Sequence, residues 1–212
     1  LSTEERQSYV IDVQGWDFVQ TTDEYVYNYT RQENVNFDKS AALLTAISDE
    51  HDAVPFLIST KACIQLLSKG GVLDEDTSSK HYGSLKSSNE FSDHELGLVL
   101  GTIHFQRERI YREAAFENVA VDPEGDGTDK TYNSEYGDAL LTHMREHEVL
   151  QAAMRFGRTE DTDARVYIHT ACVPDWVPRQ IRNVEITTLS GSSREDVLEV
   201  LRDTQSPWTV EE

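Results

Sequence analysis

The run Leu96-Gly97-Leu98-Val99-Leu100-Gly101 constrains the fold more than any other stretch of the chain. It carries no polar residue in either alternating register. A strand here needs apolar cover on both faces, as in a parallel sheet clad by helices. Val54-Pro55-Phe56-Leu57-Ile58 is a second short apolar strand, and residues 165–171 read as a third. Helical spacing fills the intervals. Residues 40–52 place Ala42, Leu43, Ala46 and Ile47 on one side, and residues 61–68 follow Ser59-Thr60 as a turn and N-cap and end at Gly70-Gly71. Residues 107–118 and a long segment, 134–156, complete the helical set. This alternation predicts an α/β fold with a mainly parallel sheet, in which 54–58, 96–100 and 166–170 are neighbours.

The flanks are less regular. Residues 6–30 are rich in Tyr, Val and Phe, and Tyr9-Val10-Ile11-Asp12-Val13 and Tyr25-Val26-Tyr27-Asn28-Tyr29 read as strands. Residues 74–80 form a polar loop. Residues 122–133 form a Gly/Asp-rich loop long enough to be mobile or an insertion. A short strand at 184–189 follows Pro174-Asp175-Trp176-Val177-Pro178. Ser190-Gly191-Ser192-Ser193 then caps a helix over 194–203, and 204–212 read as a turn and the first residues of another helix. That ending is similar to the opening of a winged-helix domain. The predicted division is 1–180, with 1–39 as lead-in, and 181–212 as the start of a truncated second unit.

Charge sets the context for any ligand. Of 212 residues, 39 are acidic and 19 basic, a net charge of −20. A folded, Lys-poor chain of this kind is similar to a halophile's cytoplasmic protein, where carboxylates hold water and salt screens their repulsion; an acidic interaction protein is the alternative. The charge withdraws support from a nucleic-acid ligand without excluding one, because counterion release loses its weight in molar salt for any protein. Cys63 and Cys172 sit in apolar settings and read as reduced, buried thiols. No signal peptide or membrane-spanning run is present in the sequence, so the expected compartment is the cytoplasm, with no membrane partner.

The stretch with the most chemistry is Gln151-Ala152-Ala153-Met154-Arg155-Phe156-Gly157-Arg158. On a helix, Arg155 and Arg158 would share a face with Gln151 one turn earlier. Two permanently charged, forked guanidinium groups side by side suit a polyphosphate; neutralising an acidic surface is the plainer role. The octapeptide resembles motif VI of superfamily 2 helicases, Gln-x-x-Gly-Arg-x-x-Arg, with Met154 in place of the Gly. In the order of such a helicase's second RecA-like domain, 54–67 resembles motif IV. Tyr82-Gly83-Ser84-Leu85-Lys86-Ser87-Ser88-Asn89-Glu90-Phe91 resembles motif V, and 166–170 the closing strand. The resemblance covers roughly residues 40–172.

What the resemblance implies is the C-terminal half of an ATP-dependent helicase or translocase acting on nucleic acid, DNA rather than RNA, from a haloarchaeon or its plasmid or virus. Arg155 and Arg158 would be arginine fingers, and Gln151 would orient the phosphate or attacking water. Gly83 and Asn89 would face the nucleotide, while Ser59, Thr60, Lys61 and Lys86 would contact the nucleic-acid backbone. For Ser59 and Thr60 an N-cap role, and for Lys86 a plain surface position, are the alternatives. ATP and Mg²⁺ would be held mainly by an N-terminal RecA-like domain of the same protein, because no G-x-x-x-x-G-K-[ST] loop occurs here. The rival reading is a non-catalytic DNA-binding regulator that keeps a degenerate RecA-like fold.

Other residues are weaker signals. Asp49-Glu50-His51 ends a helix and reads as a solvated terminus. His143-Met144-Arg145-Glu146-His147 matches the pattern of inverted zincins, though an exposed helix face is the simpler reading. His104 and His169 read as hydrogen-bonded core histidines, and Trp176 as a packing anchor.

Overall fold

A computed structural model describes residues 2–24, 35–73, 78–85, 90–103, 105–125, 130–159, 163–185 and 209–211. The apolar runs assemble as one sheet. Its strands are β1 (Trp16–Gln20), β2 (Phe56–Ser59), β3 (Ser79–His81), β4 (Leu96–Leu100), β7 (Ala164–His169) and β8 (Gln180–Ile181), in the order β3-β2-β4-β7-β1-β8. Every pairing in it is parallel. The three strands read from the sequence, β2, β4 and β7, are indeed adjacent, and the α/β fold with a parallel sheet flanked by helices is consistent with a RecA-like core.

Two faces take two sets of helices. Ile58, Val99, Val166 and Ile168 pack with Val149, Ala152 and Phe156 beneath α5 (Glu135–Ala153). Leu57, Leu98, Leu100 and Tyr167 pack under α2 (Phe37–His51) and α3 (Lys61–Lys69). The alternation Ile58/Leu57 and Val99/Leu98 is the pleat sending successive side chains to opposite layers. A third, smaller core lies off the sheet. There α4 (Arg107–Phe116) contributes Ile110 and Ala114, α5 contributes Leu141 and Met144, and Tyr132 joins them.

Several readings of the flanks are corrected. Residues Tyr9–Val13 form a single π-helical turn after the short helix α1 (Thr3–Ser8), not a strand, and only Val10 of the five is buried. The strand of this region is β1, and it sits inside the sheet between β7 and β8. The polar segment read as a loop ends in the edge strand β3. The Gly/Asp-rich segment contains a small hairpin, β5 (Pro123–Glu124) with β6 (Thr131–Tyr132), that closes the third core. Helix α5 stops at Ala153, three residues before the end read from the sequence. At the C-terminus β9 (Asn183–Glu185) pairs antiparallel with β10 (Thr209–Glu211), where the sequence suggests the start of a helix. The strand expected at 25–29 and the helix expected at 194–203 lie outside the described residues. Among the described residues no helix is long and apolar enough to cross a membrane.

Candidate functional site

In a parallel sheet all strands begin on one edge and end on the other, so each predicted residue belongs to one of two edges. A five-residue strand separates them by roughly 16 Å. The structure divides the predicted residues between these edges.

The N-terminal edge carries the arginines. Met154 caps α5, and the chain then turns back toward β7 through Gly157, whose φ of 53° is left-handed. The turn is tied to the segment preceding β4. Gly157 N donates to His94 O at 3.2 Å, and Arg158 N donates to Ser92 O at 2.7 Å. Its anchor is Phe156, fully buried against Phe56 and Phe91. The ring lies so close to β4 that a Cβ on Gly97 would fall 2.6 Å from it. The Trp16 indole donates to Phe156 O at 2.7 Å and fixes the same turn from β1.

Arg155 and Arg158 therefore flank a plugged aromatic ring on a turn, rather than sharing a helix face as the spacing suggested. Arg155 is partly buried and Arg158 exposed. Partial burial lowers the Arg158 pKa below its ordinary value, and the neighbouring Arg155 charge adds to this, while Tyr9 acts the other way. The two guanidiniums are thus close enough to repel. Arg158 Nε also donates to Met154 O at 2.6 Å, capping the C-terminus of α5. Gln151 is exposed, and its amide donates to His147 Nε2 at 2.7 Å.

At the C-terminal edge, β2 leads through α3 outward to β3, whereas β4 leads through α4 and α5 the other way to β7. Connections that diverge from adjacent strands leave a crevice between their ends, the usual ligand position in open α/β sheets. Ser59, Thr60 and Lys61 stand on one side of it, and Gly101 and Thr102 on the other. Ser59 is wholly buried, and its hydroxyl donates to Leu100 O at 2.7 Å across the two strands. Thr60 Oγ1 accepts from Cys63 N at 3.3 Å, the N-cap read from the sequence, and Lys61 is exposed beside it. The buried Tyr82 hydroxyl donates to Gly101 O at 2.5 Å. Gly83 follows in a single 3₁₀ turn, 82–84, where an added Cβ would meet the His81 ring at 3.3 Å. Gly83 is therefore on the edge opposite the arginines. Lys86, Asn89 and His104 lie outside the described residues.

Buried polar groups line the rest of this edge. His169 shares a 2.9 Å hydrogen bond with Thr21, and burial, aided by the Lys39 charge, drives its pKa down to about 4. Burial pushes the Cys63 thiol up to about 11 and raises Cys172 as well, the latter opposed by the Thr170 and Thr102 hydroxyls. Both cysteines are buried free thiols. Trp176 is half-buried against the α5-side core, with the Arg6 guanidinium over its ring at 5.6 Å. His143 and His147 stack on the exposed face of α5, and no group of three or more metal-ligating side chains occurs among the described residues. Glu50 and His51 end α2 and are engaged there, Glu50 with Arg182 at 3.1 Å and His51 with the Tyr167 hydroxyl at 2.8 Å.

Sequence reasoning missed the three residues that position the arginines: Gly97, Phe156 and Trp16. One signal was present, a glycine inside an otherwise bulky buried strand, which marks a close approach. No family model, curated protein or solved structure matches the chain.

Proposed function

We propose that this chain is the C-terminal half of an ATP-dependent nucleic-acid motor of the superfamily 2 helicase type, working in the cytoplasm of a halophile. The observation that carries the reading is the Arg155–Arg158 pair. Two like charges are brought together on an aromatic anchor at a sheet edge, and the Arg158 pKa is lowered by partial burial and by its neighbour. A polyanion between the two would relieve the repulsion that the fold imposes. A triphosphate suits two neighbouring guanidinium charges, because each planar fork can bind phosphate oxygens in pairs. ATP, when bound, supplies the phosphoryl group whose transfer to water drives the motor. The chain's own part is to hold that group's charge with Arg155 and Arg158. Gln151 would turn from His147 to orient the attacking water. Mg²⁺ and the phosphate cradle belong to a preceding RecA-like domain, and the Thr60–Lys61 crevice on the opposite edge would hold the nucleic-acid backbone.

Tripolyphosphate titration tests the anion site. The wild type should bind it, and the Arg155→Ala/Arg158→Ala double variant should lose most of that affinity. Equal binding by the two proteins sinks the site. ATP turnover by the 212-residue chain that survives Arg155→Ala would show that the chemistry lies elsewhere. A gene with no Gly-rich phosphate loop within about 150–250 residues upstream of Leu1, one domain length, would end the motor reading.

One observation favours a second reading. Arg158 Nε is already occupied as the cap of α5, with Met154 where helicases place Gly. That arrangement suits a DNA-binding regulator that retains the fold and has given up catalysis. Tripolyphosphate binding without any ATPase in the longer protein would select it.

A further inference from the structure

Helix α4 is not used by the proposed function, and its solvent face has an unusual make-up for this chain. At 100° per residue, Arg109, Arg112 and Phe116 fall within an arc of about 60°. The buried Ile110 and Ala114 lie nearly opposite, in the third core. All three ridge residues are exposed, and Phe116 is 75% exposed, the most of any large hydrophobic side chain among the described residues. Arg112 has Glu108, and Arg109 has Glu113, four residues away on the same helix. Among the described residues, ion pairs join Lys80–Glu90, Arg165–Asp17 and Arg182–Glu50, and none involves either ridge arginine. Arg109 instead stacks over the Phe105 ring at 4.8 Å. In a chain of net charge −20, two exposed guanidiniums that form no ion pair among the described residues, though Glu108 and Glu113 flank them on the helix, stand beside a bare aromatic ring and make a stacking-competent surface.

We propose that the Arg109–Arg112–Phe116 ridge of α4 binds single-stranded nucleic acid, with the two arginines on successive phosphates and Phe116 stacked on a base. The geometry fits. Arg109 and Phe116 are about 10 Å apart along the helix axis, the length of about three stacked nucleotides at 3.4 Å each. Non-specific single-strand sites combine cationic side chains along the backbone with aromatic platforms for the bases. The position fits as well. Helix α4 begins six residues after Gly101, on the segment that leaves the C-terminal end of β4, the sheet edge that also carries Thr60 and Lys61. A base on Phe116 would also hold in molar salt, where phosphate contacts weaken and stacking does not depend on counterion release. The inference rests on the nucleic-acid part of the proposed function and is independent of its ATP chemistry.

Fluorescence anisotropy with a labelled oligothymidylate, measured from about 0.1 to 1 M KCl, separates the contributions. The span runs from a Debye length of about 10 Å down to about 3 Å. Phe116→Ala should weaken binding about tenfold at every salt concentration and leave the salt slope unchanged. Arg109→Ala/Arg112→Ala should flatten the slope of log K against log salt by about 1.4, because each single-strand phosphate that an arginine neutralises contributes about 0.7. Each altered side chain is exposed, so both variants should melt like the wild type. If both bind within twofold of the wild type while Lys61→Ala binds more weakly, the ridge is excluded and the crevice stands as the binding surface. If the wild type does not bind the oligonucleotide, the ridge and the nucleic-acid reading fall together. If the α4 variants change sedimentation rather than oligonucleotide affinity, the ridge is an interface between copies of the chain and the proposal is overturned.

Discussion

The two edges of the central sheet hold their candidate side chains in opposite ways. At the N-terminal edge, Arg155 and Arg158 hang from a single apolar anchor, Phe156, which is seated in the core and tied to Trp16. At the C-terminal edge, buried polar groups hold one another: Ser59 with Leu100 O, Tyr82 with Gly101 O and His169 with Thr21. Position and stability therefore depend on the same residue at one edge and are distributed over several hydrogen bonds at the other. A substitution near the arginines should disturb both properties together. At the crevice the exposed Lys61 can be changed with little effect on the fold.

The largest test removes the anchor. Phe156→Ala should cost about 3–5 kcal/mol, the usual range for emptying a fully buried aromatic site, and should also weaken tripolyphosphate binding. Urea unfolding measures the first effect. A loss below about 1 kcal/mol would mean that the turn is not held as described.

The next test asks the polar edge to respond to pH. His169 has a pKa of about 4 in the fold against 6.5 when unperturbed, so the unfolded chain takes up the proton first as pH falls. Stability should be full above about pH 6.5 and decline between 6.5 and 4 by roughly 3 kcal/mol, at about 1.4 kcal/mol per unit. His169→Gln should remove this component, seen as a flatter stability–pH curve. Parallel curves for the two proteins would locate the acid sensitivity elsewhere.

Gly97→Ala probes the anchor from the strand side. Its Cβ would sit 2.6 Å from the Phe156 ring, and overpacking of that kind costs about 1–3 kcal/mol. Thermal melting should show the loss, and Gly83→Ala, whose Cβ meets only the edge of the His81 ring at 3.3 Å, should be far milder. The smallest effect is Thr60→Ala, which removes the N-cap of α3 and should cost about 1 kcal/mol. If oligonucleotide affinity falls further than this loss of stability explains, Thr60 also touches the ligand.

The same contrast explains what could be read from the sequence. The strands β2, β4 and β7 and the Thr60 cap are local features, written in apolar runs and in one hydroxyl before a helix. Strand β3, Ser-Lys-His, reads as loop because an edge strand needs neither length nor apolar content. Tyr9–Val13 has strand-like composition, yet only Val10 enters the core, and local β propensity gives way to a helical turn. The octapeptide points to the arginines but not to their support, because Gly97 and Trp16 meet Phe156 only through the tertiary fold. The α4 ridge is hidden in the sequence because Arg109, Arg112 and Phe116 are spaced among glutamates, and only helical geometry brings the three side chains onto one face.

The place of β1 has a consequence for assembly. Among the described residues, the sheet's first strand along the chain pairs Trp16 with Ala164 and Gln20 with both Ile168 and Ile181, so its two neighbours are the last strands of the sheet to emerge. While β2, β3 and β4 can already align, the slot for β1 does not exist until residues 164–181 have left the ribosome. Closing so long a span is slow. Throughout that wait Trp16, Phe18 and Val19 must stay clear of other nascent chains, the hazard typical of late, non-local pairing. The hydrogen bond from the Trp16 indole to Phe156 O forms only when that slot is filled. Trp16 fluorescence should therefore report the final closure of the sheet, and the arginine turn should become fixed at the same moment.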